Sequence, residues 1–474
     1  MNSKEYAPED IFVKNRRFDL IYKILYLQNK DKSPEIAKFY ENLYLKHIFA
    51  FNGYFEKEPR KISPEDFVNS FTKLYDSIAS RGFNMNEGTI LIKDNLELIN
   101  GAHRLSVCLH LRKKVHCAIE TCHKAKSHWH YDWHFFQERE MDEITTNLGV
   151  LEYVKYNRNA YIVNIYPVVD SMHDSAVEQI LEKYGFVYFK KCIPVTYNGL
   201  INLKRIKYGK ERWAGTAEND FKGLKNHAEK SNGSNNLRVY VFVCDSLDNV
   251  IKAKAEIREH LALGNFSVHI NDCQGEAVEL AQTYFNDNSI FMINNRPYNT
   301  RSEQIDYYVD ELKNYTKSTG QDLSRFCASG STPLGVFGIR QVRDFDFLHI
   351  SEFFVLPDNR ELSSHDSELS YYPADKSDMI LDPRYHFYYR GVKFITLDVL
   401  ASMKHQRGEN PKDLHDCQMI SQFQSNKQMV KRQRQFSLHK VRKTLVNLIY
   451  RKTKYGDRRT VVLFNFVKFN YTKK

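Results

Sequence analysis

Apolar and polar residues alternate along the chain with two periods, one typical of helices and one typical of strands. Residues 63–66 read Ser-Pro-Glu-Asp, a capping hydroxyl followed by proline and two acids, and they predict a helix that extends to about Ser80. The elements predicted next are two strands, a helix and a third strand, at Thr89–Ile92, Glu97–Ile99, Ala102–Leu111 and Val115–Glu120. From about residue 150 to residue 300, runs of strand length alternate with amphipathic segments, so we expect an α/β layer there.

These patterns predict a multidomain protein of mixed α/β and α+β class. At 474 residues the chain is too long for one compact core. We expect a helical lead-in, a small α/β domain, a central α/β domain, a mixed-sheet domain and a basic helical tail, at 1–60, 61–145, 146–318, 319–420 and 421–474. A helix at Glu303–Thr316 leads into the fourth part, and Phe387–Ile395 is predicted as one of its later strands.

The fourth part contains a glycine-serine turn followed by a pair of aspartates. Gly330 and Ser331 precede a Thr-Pro pair, in which the threonine is a predicted helix cap, so free amides and a hydroxyl face a helix end that favours phosphate. About a dozen residues later, Asp344 and Asp346 alternate with two phenylalanines. Because side chains two apart on a strand share a face, both carboxylates are predicted to point one way and to hold a divalent cation. Two exposed acids on an edge strand, where charges prevent further strand pairing, are the alternative.

This arrangement resembles the nucleotidyltransferase superfamily of DNA polymerase beta, whose members place a Gly-Ser turn shortly before Asp-x-Asp on a strand. The resemblance implies a nucleoside triphosphate, ATP or CTP, bound at Gly330 and Ser331, with Mg²⁺ held by Asp344 and Asp346. It covers only the motif and its immediate surroundings.

One element of the family pattern is missing. Members usually carry a third acid on a later strand, and Phe387–Ile395 contains none, which leaves open a degenerate enzyme or a base supplied from elsewhere. The stretch from Lys404 to Asp416 is similar to the helix that follows the catalytic domain in small bacterial nucleotidyltransferases. Ion pairs along a solvated helix face are the alternative explanation of that stretch.

A second candidate site is the Asn-Gly-Ala-His-Arg turn between a predicted strand and a predicted helix. Cations in the first helical turn are unfavourable unless an anion lies at the same end, so Asn100, Gly101, His103 and Arg104 are predicted to bind phosphate. The segment resembles the nucleotide-binding turn of the ParB/sulfiredoxin-like fold, in particular its free serine kinase branch, which implies phosphate transfer to a small hydroxyl compound. Alanine stands where sulfiredoxins carry their cysteine, so that reaction is not expected. Glu97 is a candidate base, and a helix cap with an exposed arginine is the alternative.

The net charge of +11 is concentrated at one end of the chain. Residues 421–474 contain fifteen Lys/Arg and one acid, so the rest of the chain is slightly acidic. Between Lys427 and Lys454, apolar residues recur every three or four positions with cations opposite, which predicts an amphipathic helix attracted to an anionic membrane surface. Nucleic acid is the less favoured partner because no reader motif accompanies the charge. A solvated tail without a partner is the third alternative.

Composition is that of an ordinary folded protein, with 42% hydrophobic and 27% charged residues. No apolar run approaches the roughly 20 residues that span a bilayer, and the first residues show no secretory signal. We therefore expect a cytoplasmic protein whose tail lies peripherally on the inner membrane. The eight cysteines form no Cys-x-x-Cys pair, as expected of free thiols in a reducing compartment.

Three further groups of residues could carry chemistry. A metal site is weighed for Cys117, Cys122, His123, His128, His130 and His134, but their spacing fits no zinc motif and aromatic packing around Trp129 and Trp133 is favoured. A ligand site at the end of a predicted strand is weighed against simple helix capping for His269, Asp272 and Glu276. A basic-aromatic cluster of unassigned role consists of Lys207, Lys210, Arg212 and Trp213.

These motifs predict Mg²⁺-dependent phosphoryl or nucleotidyl transfer from a nucleoside triphosphate to a small metabolite or sugar phosphate. The basic tail resembles those of bacterial capsule and O-antigen cluster proteins, which implies a part in surface-polysaccharide synthesis. Three alternatives stay open: a nucleic-acid-associated nucleotidyltransferase or CTP- or ATP-dependent binding protein, a glycosyltransferase, and a non-catalytic scaffold for glycan assembly.

Overall fold

The structure is a computed structural model that describes residues 3–83, 88–120, 131–351, 354–355, 357, 361–408, 411–426, 450–455, 458–463 and 467–472. The chain separates into two compact units, residues 1–409 and residues 410–474. Helices and sheets are combined throughout the described residues, which confirms the predicted mixed class.

The first sheet and its helices occupy residues 3–156. Their elements are β1 (Ser3–Tyr6), α1 (Pro8–Phe12), α2 (Asp19–Asn29), α3 (Pro34–Asn52), α4 (Pro64–Arg81), β2 (Ile90–Ile92), β3 (Leu98–Asn100), α5 (Ala102–Leu111), β4 (Val115–Ile119), α6 (Trp133–Glu138) and α7 (Glu143–Tyr156). The strand order is β1-β4-β2-β3, with β2 parallel to β4 and the other neighbours antiparallel. Strand β1 comes from the segment predicted as a helical lead-in, so that segment is part of this sheet.

Helix α4 shows why the first elements were predictable. The Asp66 backbone N–H donates to Ser63 Oγ at 3.2 Å, and the Ser63 N–H donates to the Asp66 carboxylate at 3.1 Å. This reciprocal capping box satisfies amides that a helix start would otherwise leave without a partner.

The second sheet lies in residues 160–295. Its elements are β5 (Ala160–Ile165), α8 (Asp174–Tyr184), β6 (Phe186–Ile193), α9 (Tyr197–Tyr208), α10 (Lys222–Ser231), β7 (Leu237–Val243), α11 (Leu247–Leu261), β8 (Val268–Ile270), α12 (Gln274–Tyr284) and α13 (Asp287–Asn295). The strand order is β6-β7-β5-β8 and every neighbouring pair is antiparallel. Alternation of helices and strands was predicted, but alternation along the chain determines neither strand order nor strand direction. Because this sheet is antiparallel, the tendency of ligands to bind at the carboxyl ends of parallel strands does not apply to it.

The third sheet carries the aspartate pair. Its elements are α14 (Glu303–Ser318), β9 (Phe326–Ala328), α15 (Thr332–Val336), β10 (Phe345–His349), β11 (Leu362–Ser364), α16 (Lys376–Leu381), β12 (His386–Tyr389), β13 (Val392–Ile395) and α17 (Leu397–Arg407). The order β11-β10-β9-β13-β12 is mixed, with β10 parallel to β11 and β9 parallel to β13.

The segment predicted as one strand, Phe387–Ile395, is instead a hairpin of β12 and β13. Arg390 and Gly391 have φ of 48° and 82°, the left-handed pair typical of a tight two-residue hairpin turn. Residues 404–416, which were compared with a single helix, belong instead to two helices. Helix α17 ends at Arg407 and the next helix begins at Pro411.

The second unit contains α18 (Pro411–Asn426) and an antiparallel sheet of β14 (Tyr450–Tyr455), β15 (Arg458–Leu463) and β16 (Val467–Thr472). Most of the predicted amphipathic helix, residues 427–449, lies outside the described residues. Its last positions belong to β14, so the helix prediction is wrong there, because strand pairing prevails over a three-and-four apolar spacing. No helix among the described residues combines the length and apolar character needed to cross a bilayer.

Candidate functional site

The glycine-serine turn and the aspartate strand meet in direct contact. Gly330 has φ of +55°, and a Cβ at that position would lie 2.0 Å from Asp346 Oδ2. The backbone N–H of Ser329 donates to the Asp346 carbonyl oxygen at 2.8 Å and fixes the two segments to each other. Glycine is required for two reasons, the left-handed φ and the space that the carboxylate occupies.

Ser331 lies beside a guanidinium rather than open to solvent. Arg340 Nη2 donates to Ser331 Oγ at 2.8 Å, and Ser331 is the residue before α15. Thr332 is the first helical residue and not the predicted cap, since its hydroxyl donates to the Ser329 carbonyl at 2.6 Å. With only five residues, α15 offers a weak dipole, so charge on a phosphate here depends on Arg340 and on a cation.

The predicted alternation of the aspartates with phenylalanines is confirmed. Phe345 and Phe347 on β10 are fully buried, whereas Asp344 is exposed one residue before the strand and Asp346 is partly buried within it. The two carboxylates therefore lie on the face opposite the core.

Burial raises the pKa of Asp346, and the neighbouring Asp344 adds to that effect. The charges of His365 and Lys404 and a hydrogen bond from Ser363 oppose it. Ser363 Oγ donates to Asp346 Oδ1 at 2.9 Å. A carboxylate that is costly to ionise beside another carboxylate is stabilised in its charged form by a bound divalent cation.

The strand that accompanies Asp346 escaped prediction. Strand β11 pairs with β10 so that Ser363 lies opposite Asp346, and β12 and β13 lie at the other end of the sheet. The Phe345 N–H donates to the Glu361 carbonyl at 2.8 Å, so the parallel register places Glu361 next to Asp344. Both acids also raise the pKa of Tyr308. Glu361 is therefore an acid beside Asp344, one residue before β11.

His365 connects the aspartate to a phenol. Its Nδ1 lies 2.7 Å from the Tyr372 hydroxyl, and burial lowers its pKa while the charge of Asp346 acts in the opposite direction. Nothing in the local sequence indicates that His365 lies near Asp346 and Tyr372, since His365 directly follows the three-residue strand β11.

Next to the turn is a cavity of about 640 Å³. Its lining includes Arg340, the side chain that donates to Ser331, and a second arginine, Arg301. Gly335, Gly338 and Val342 also line it, as does the acid Glu303. The charge of the lining is therefore mixed, and the two guanidinium groups offer donors to an anionic group of a small molecule.

The residues at hand fit Mg²⁺ as a cation shared with a nucleotide. Among the described residues, no group of three or more His, Cys, Asp or Glu is arranged to hold a metal alone. Magnesium commonly takes one or two carboxylates and completes its shell with phosphate oxygens and water, and Asp344 and Asp346 supply such a pair.

The second predicted site, on β3 and α5, is arranged differently. Gly101 has φ of +102°, and a Cβ there would lie 3.0 Å from the Ile90 side chain, so the turn requires glycine. Asn100 Oδ1 accepts from the Gly101 N–H at 2.7 Å. The Arg104 guanidinium lies against Gly88, whose added Cβ would come within 2.2 Å of Nη1, and burial lowers its pKa.

His103 packs among aromatic side chains. Its Nε2 lies 3.0 Å from the Tyr44 hydroxyl, and its ring centroid is 4.7 Å from that of Phe71. Burial lowers its pKa well below the usual range, which disfavours the cationic form that the predicted phosphate ligand requires. Glu97, the candidate base, is engaged by Lys93 at 2.7 Å.

The histidine-rich segment falls largely outside the described residues, which resume at Tyr131. Of the residues that the structure describes, Cys117 is buried on β4, and the Trp133 ring packs edge-on against the Phe189 ring with the centroids 5.3 Å apart. This contact agrees with aromatic packing, the favoured interpretation, for the part that can be seen.

The group of His269 and Glu276 is joined to the basic-aromatic cluster through Tyr208. Tyr208, next to Lys207 on α9, has its hydroxyl 2.9 Å from His269 Nδ1, and His269 Nε2 lies 2.7 Å from Glu276 Oε1. Asp272, by contrast, is exposed and pairs with Lys254 at 3.5 Å.

Comparison with other proteins adds no relative. No known protein family matches the chain, and it shows no significant similarity to a characterised protein sequence or to a solved structure.

Proposed function

We propose that the third sheet carries a nucleotidyltransferase-type site that transfers a phosphoryl or nucleotidyl group from a nucleoside triphosphate to a small metabolite or sugar phosphate. The observation that carries the proposal is the contact between Gly330 and the Asp346 carboxylate. A turn of this kind pressed against a carboxylate pair is what a metal-bound triphosphate needs, since the phosphates must lie close to both backbone and cation.

Each side chain has a part in this proposal. Asp344 and Asp346 hold Mg²⁺, which when bound neutralises phosphate charge and orients the phosphate for in-line attack. Ser363 fixes the rotamer of Asp346 through its hydrogen bond to Oδ1. Arg340 and Ser331 bind phosphate oxygens beside the turn, and Glu361 receives the proton of the attacking hydroxyl. Most of the rate then comes from positioning and charge neutralisation.

The acceptor belongs on the side of the cavity. Arg301 lines it beside Arg340, so an anionic acceptor such as a sugar phosphate is held there by Arg301, while Arg340 contacts the triphosphate beside Ser331. A surface-glycan precursor suits this chemistry, and the basic tail would keep the protein near an anionic membrane, as the sequence predicts.

The first experiment is calorimetric titration of ATP and of CTP with and without Mg²⁺. We expect Mg²⁺-dependent binding of one nucleotide to the unchanged protein and its loss in Asp344→Asn and in Asp346→Asn. Asp310→Asn is the matched control, because that exposed carboxylate on α14 only pairs with Arg390 at 3.1 Å. Binding that is equal in all four proteins would refute the site.

Turnover separates an enzyme from a scaffold. Nucleotidyl transfer would release pyrophosphate, and phosphoryl transfer would release a nucleoside diphosphate. If nucleotide binds in the expected way but neither product forms with any phosphorylated sugar acceptor, the site is a nucleotide-binding scaffold for glycan assembly. Formation of product that Asp346→Asn abolishes supports transfer.

A further inference from the structure

Three of the residues singled out in the central region, Lys207, His269 and Glu276, form one hydrogen-bonded chain together with Tyr166 and Tyr208. Because Glu276 is an acceptor at 2.7 Å from His269 Nε2, that nitrogen carries the proton and His269 Nδ1 accepts from the Tyr208 hydroxyl at 2.9 Å. Lys207 Nζ donates to the Tyr166 hydroxyl at 3.4 Å, and Tyr166 in turn hydrogen-bonds Tyr208. These residues belong to α9, β8 and α12 and to the position that directly follows β5, so four parts of the protein are needed to build the hydrogen-bonded chain.

Two amines flank Tyr166 without a counter-ion. Lys204 is fully buried, donates to Ser231 Oγ at 3.0 Å and lies 3.2 Å from the Tyr166 ring centroid. Lys207 is partly exposed and lies 4.9 Å from the same ring. Among the described residues, no carboxylate lies within ion-pair distance of either amine.

Other lysines in this chain show what a structural buried amine requires. Lys23 pairs with Asp19 at 2.7 Å, and Lys393 donates to the carbonyls of Ser324 and Ile380 at 2.8 and 2.6 Å. Lys207 has only a phenol oxygen at 3.4 Å, so it lacks the partners that anchor a structural lysine. The Lys207 side chain is partly exposed, whereas Lys204 is fully buried.

One side of this group is an aromatic wall. The Trp213 and His227 rings stack at 5.4 Å, and the His227 ring lies 5.5 Å from that of Tyr208. Near the His269–Glu276 end of the hydrogen-bonded chain, where β8 meets α12, Lys254 donates to the Ile270 carbonyl at 2.8 Å. Lys204 and Lys254 lie close by. Burial lowers the pKa of Lys204 and Lys254 pairs with Asp272, but both amines can donate hydrogen bonds to a carboxylate or phosphate group of a substrate.

We propose that Lys207 is the nucleophilic amine of a second active site, which binds a small anionic carbonyl compound, a 2-oxo acid or a phosphorylated aldehyde, as an imine. The free amine attacks the carbonyl carbon and forms a C–N bond. The oxygen then leaves as water, taking both protons of the amine, while the C–N double bond forms. The phenols of Tyr166 and Tyr208 transfer these protons, and the His269–Glu276 pair holds Tyr208 in place. This site does not depend on the function proposed for Asp344 and Asp346.

Burial favours the required amine form, since it lowers the pKa of Lys207 to about 7. Glu276 is the one charge that acts in the opposite direction. The titratable groups that face the amine from the elements packed around it are Tyr166, Lys204, Tyr208, His227, His269 and Glu276.

The test is reductive trapping in the full chain. Glyoxylate with cyanoborohydride at pH 7 adds a carboxymethyl group to any lysine that forms an imine, and peptide mass spectrometry locates it. We expect Lys207 to react at least about tenfold faster than exposed Lys210, because burial leaves much of Lys207 as the free amine at pH 7. Lys393, whose pKa is also lowered to about 7, is the second internal control and should stay unmodified, since two carbonyls hold its protons.

Variants separate a reactive site from a merely reactive lysine. Tyr208→Phe and Glu276→Gln, checked for folding by circular dichroism, should slow modification of Lys207 several-fold and leave Lys210 unchanged. Equal rates for Lys207 and Lys210 in the unchanged protein would overturn the proposal without any variant. Rates at Lys207 that ignore both substitutions would overturn the assignment of the hydrogen-bonded chain.

Discussion

At the scale of the residue, one missing Cβ determines how close the turn approaches the acid strand. Gly330→Ala would place a methyl group 2.0 Å from Asp346 Oδ2 and strain a left-handed φ of +55°. We expect Asp346 to be displaced and Mg²⁺-dependent nucleotide binding to be lost, with the fold retained. Gly320→Ala is the control, because it has φ of +67° but nothing within 4 Å, so it costs only the backbone strain of about 1 kcal/mol. Calorimetry and urea unfolding of both variants distinguish strain from the clash.

A second residue-scale prediction concerns pH. Metal binding needs Asp346 ionised, and burial has raised its pKa, so Mg²⁺-dependent binding should weaken on acidification at a higher pH than for an ordinary aspartate. Ser363→Ala removes a hydrogen bond that lowers this pKa, and the weakening should then begin at still higher pH. Ser364→Ala, one residue away on the other face of β11, should leave the pH profile unchanged. A profile that is the same in all three proteins contradicts the role of Ser363.

At the scale of the element, the register of β11 against β10 places a candidate general base, Glu361, next to the aspartate strand. Because Glu361 lies beside Asp344 in that register, Glu361→Gln should reduce turnover by about a hundredfold, as expected for loss of a general base, and leave nucleotide affinity nearly unchanged. Glu368→Gln is the control, since that carboxylate pairs with Arg407 at 3.3 Å. Steady-state rates and calorimetry on both variants provide the measurement, and equal turnover would exclude Glu361 as the base.

Elements with strong local signals were predicted well. Helix α4 has a capping box and Pro at its start, and α5 begins and ends at the predicted residues between a left-handed glycine and a left-handed arginine. Strands β11 (Leu-Ser-Ser) and β1 (Ser-Lys-Glu-Tyr) contain one apolar residue each, so no hydrophobic pattern marks them and both were missed. The pairing of the strands in the second sheet could not be predicted for another reason. The order and direction of these strands depend on which apolar faces meet in space, and the local sequence does not show this.

The candidate site divides in the same way. Gly330, Asp344 and Asp346 are joined by a local motif, and the sequence predicted their proximity. Ser363, His365 and Glu361 reach the site only through the pairing of β10 with β11. No spacing in the chain reports that pairing.

At the scale of the whole molecule, three buried histidines make stability sensitive to acid. His47, His269 and His386 are at most 6% exposed, and burial lowers the pKa of each well below the usual range. Below pH of about 6.5 the unfolded chain binds protons that the native protein does not, so each histidine reduces the free energy of unfolding by up to about 1.4 kcal/mol per pH unit. The stability is therefore complete above pH 6.5 and is lost as the pH falls.

Scanning calorimetry at pH 7.5 and pH 5.5 checks this prediction, and we expect a markedly lower Tm at pH 5.5. The matched variant His405→Gln changes an exposed histidine on α17 and should show the same fall in Tm as the unchanged protein. A Tm that does not change between the two pH values would show that these histidines titrate alike in the folded and unfolded chain.

The position of β9 in the third sheet has a consequence for biosynthesis. Its neighbour β10 follows within twenty residues, but its other neighbour, β13, pairs through Lys393 with Cys327 and through Phe394 with Ala328. A nascent chain that has reached β11 already contains the turn and its acids, yet β9 still presents an open edge to the ribosome surface and to chaperones. Translation must continue past Ile395 before that edge is covered, so the central strand of the site is completed only late in synthesis.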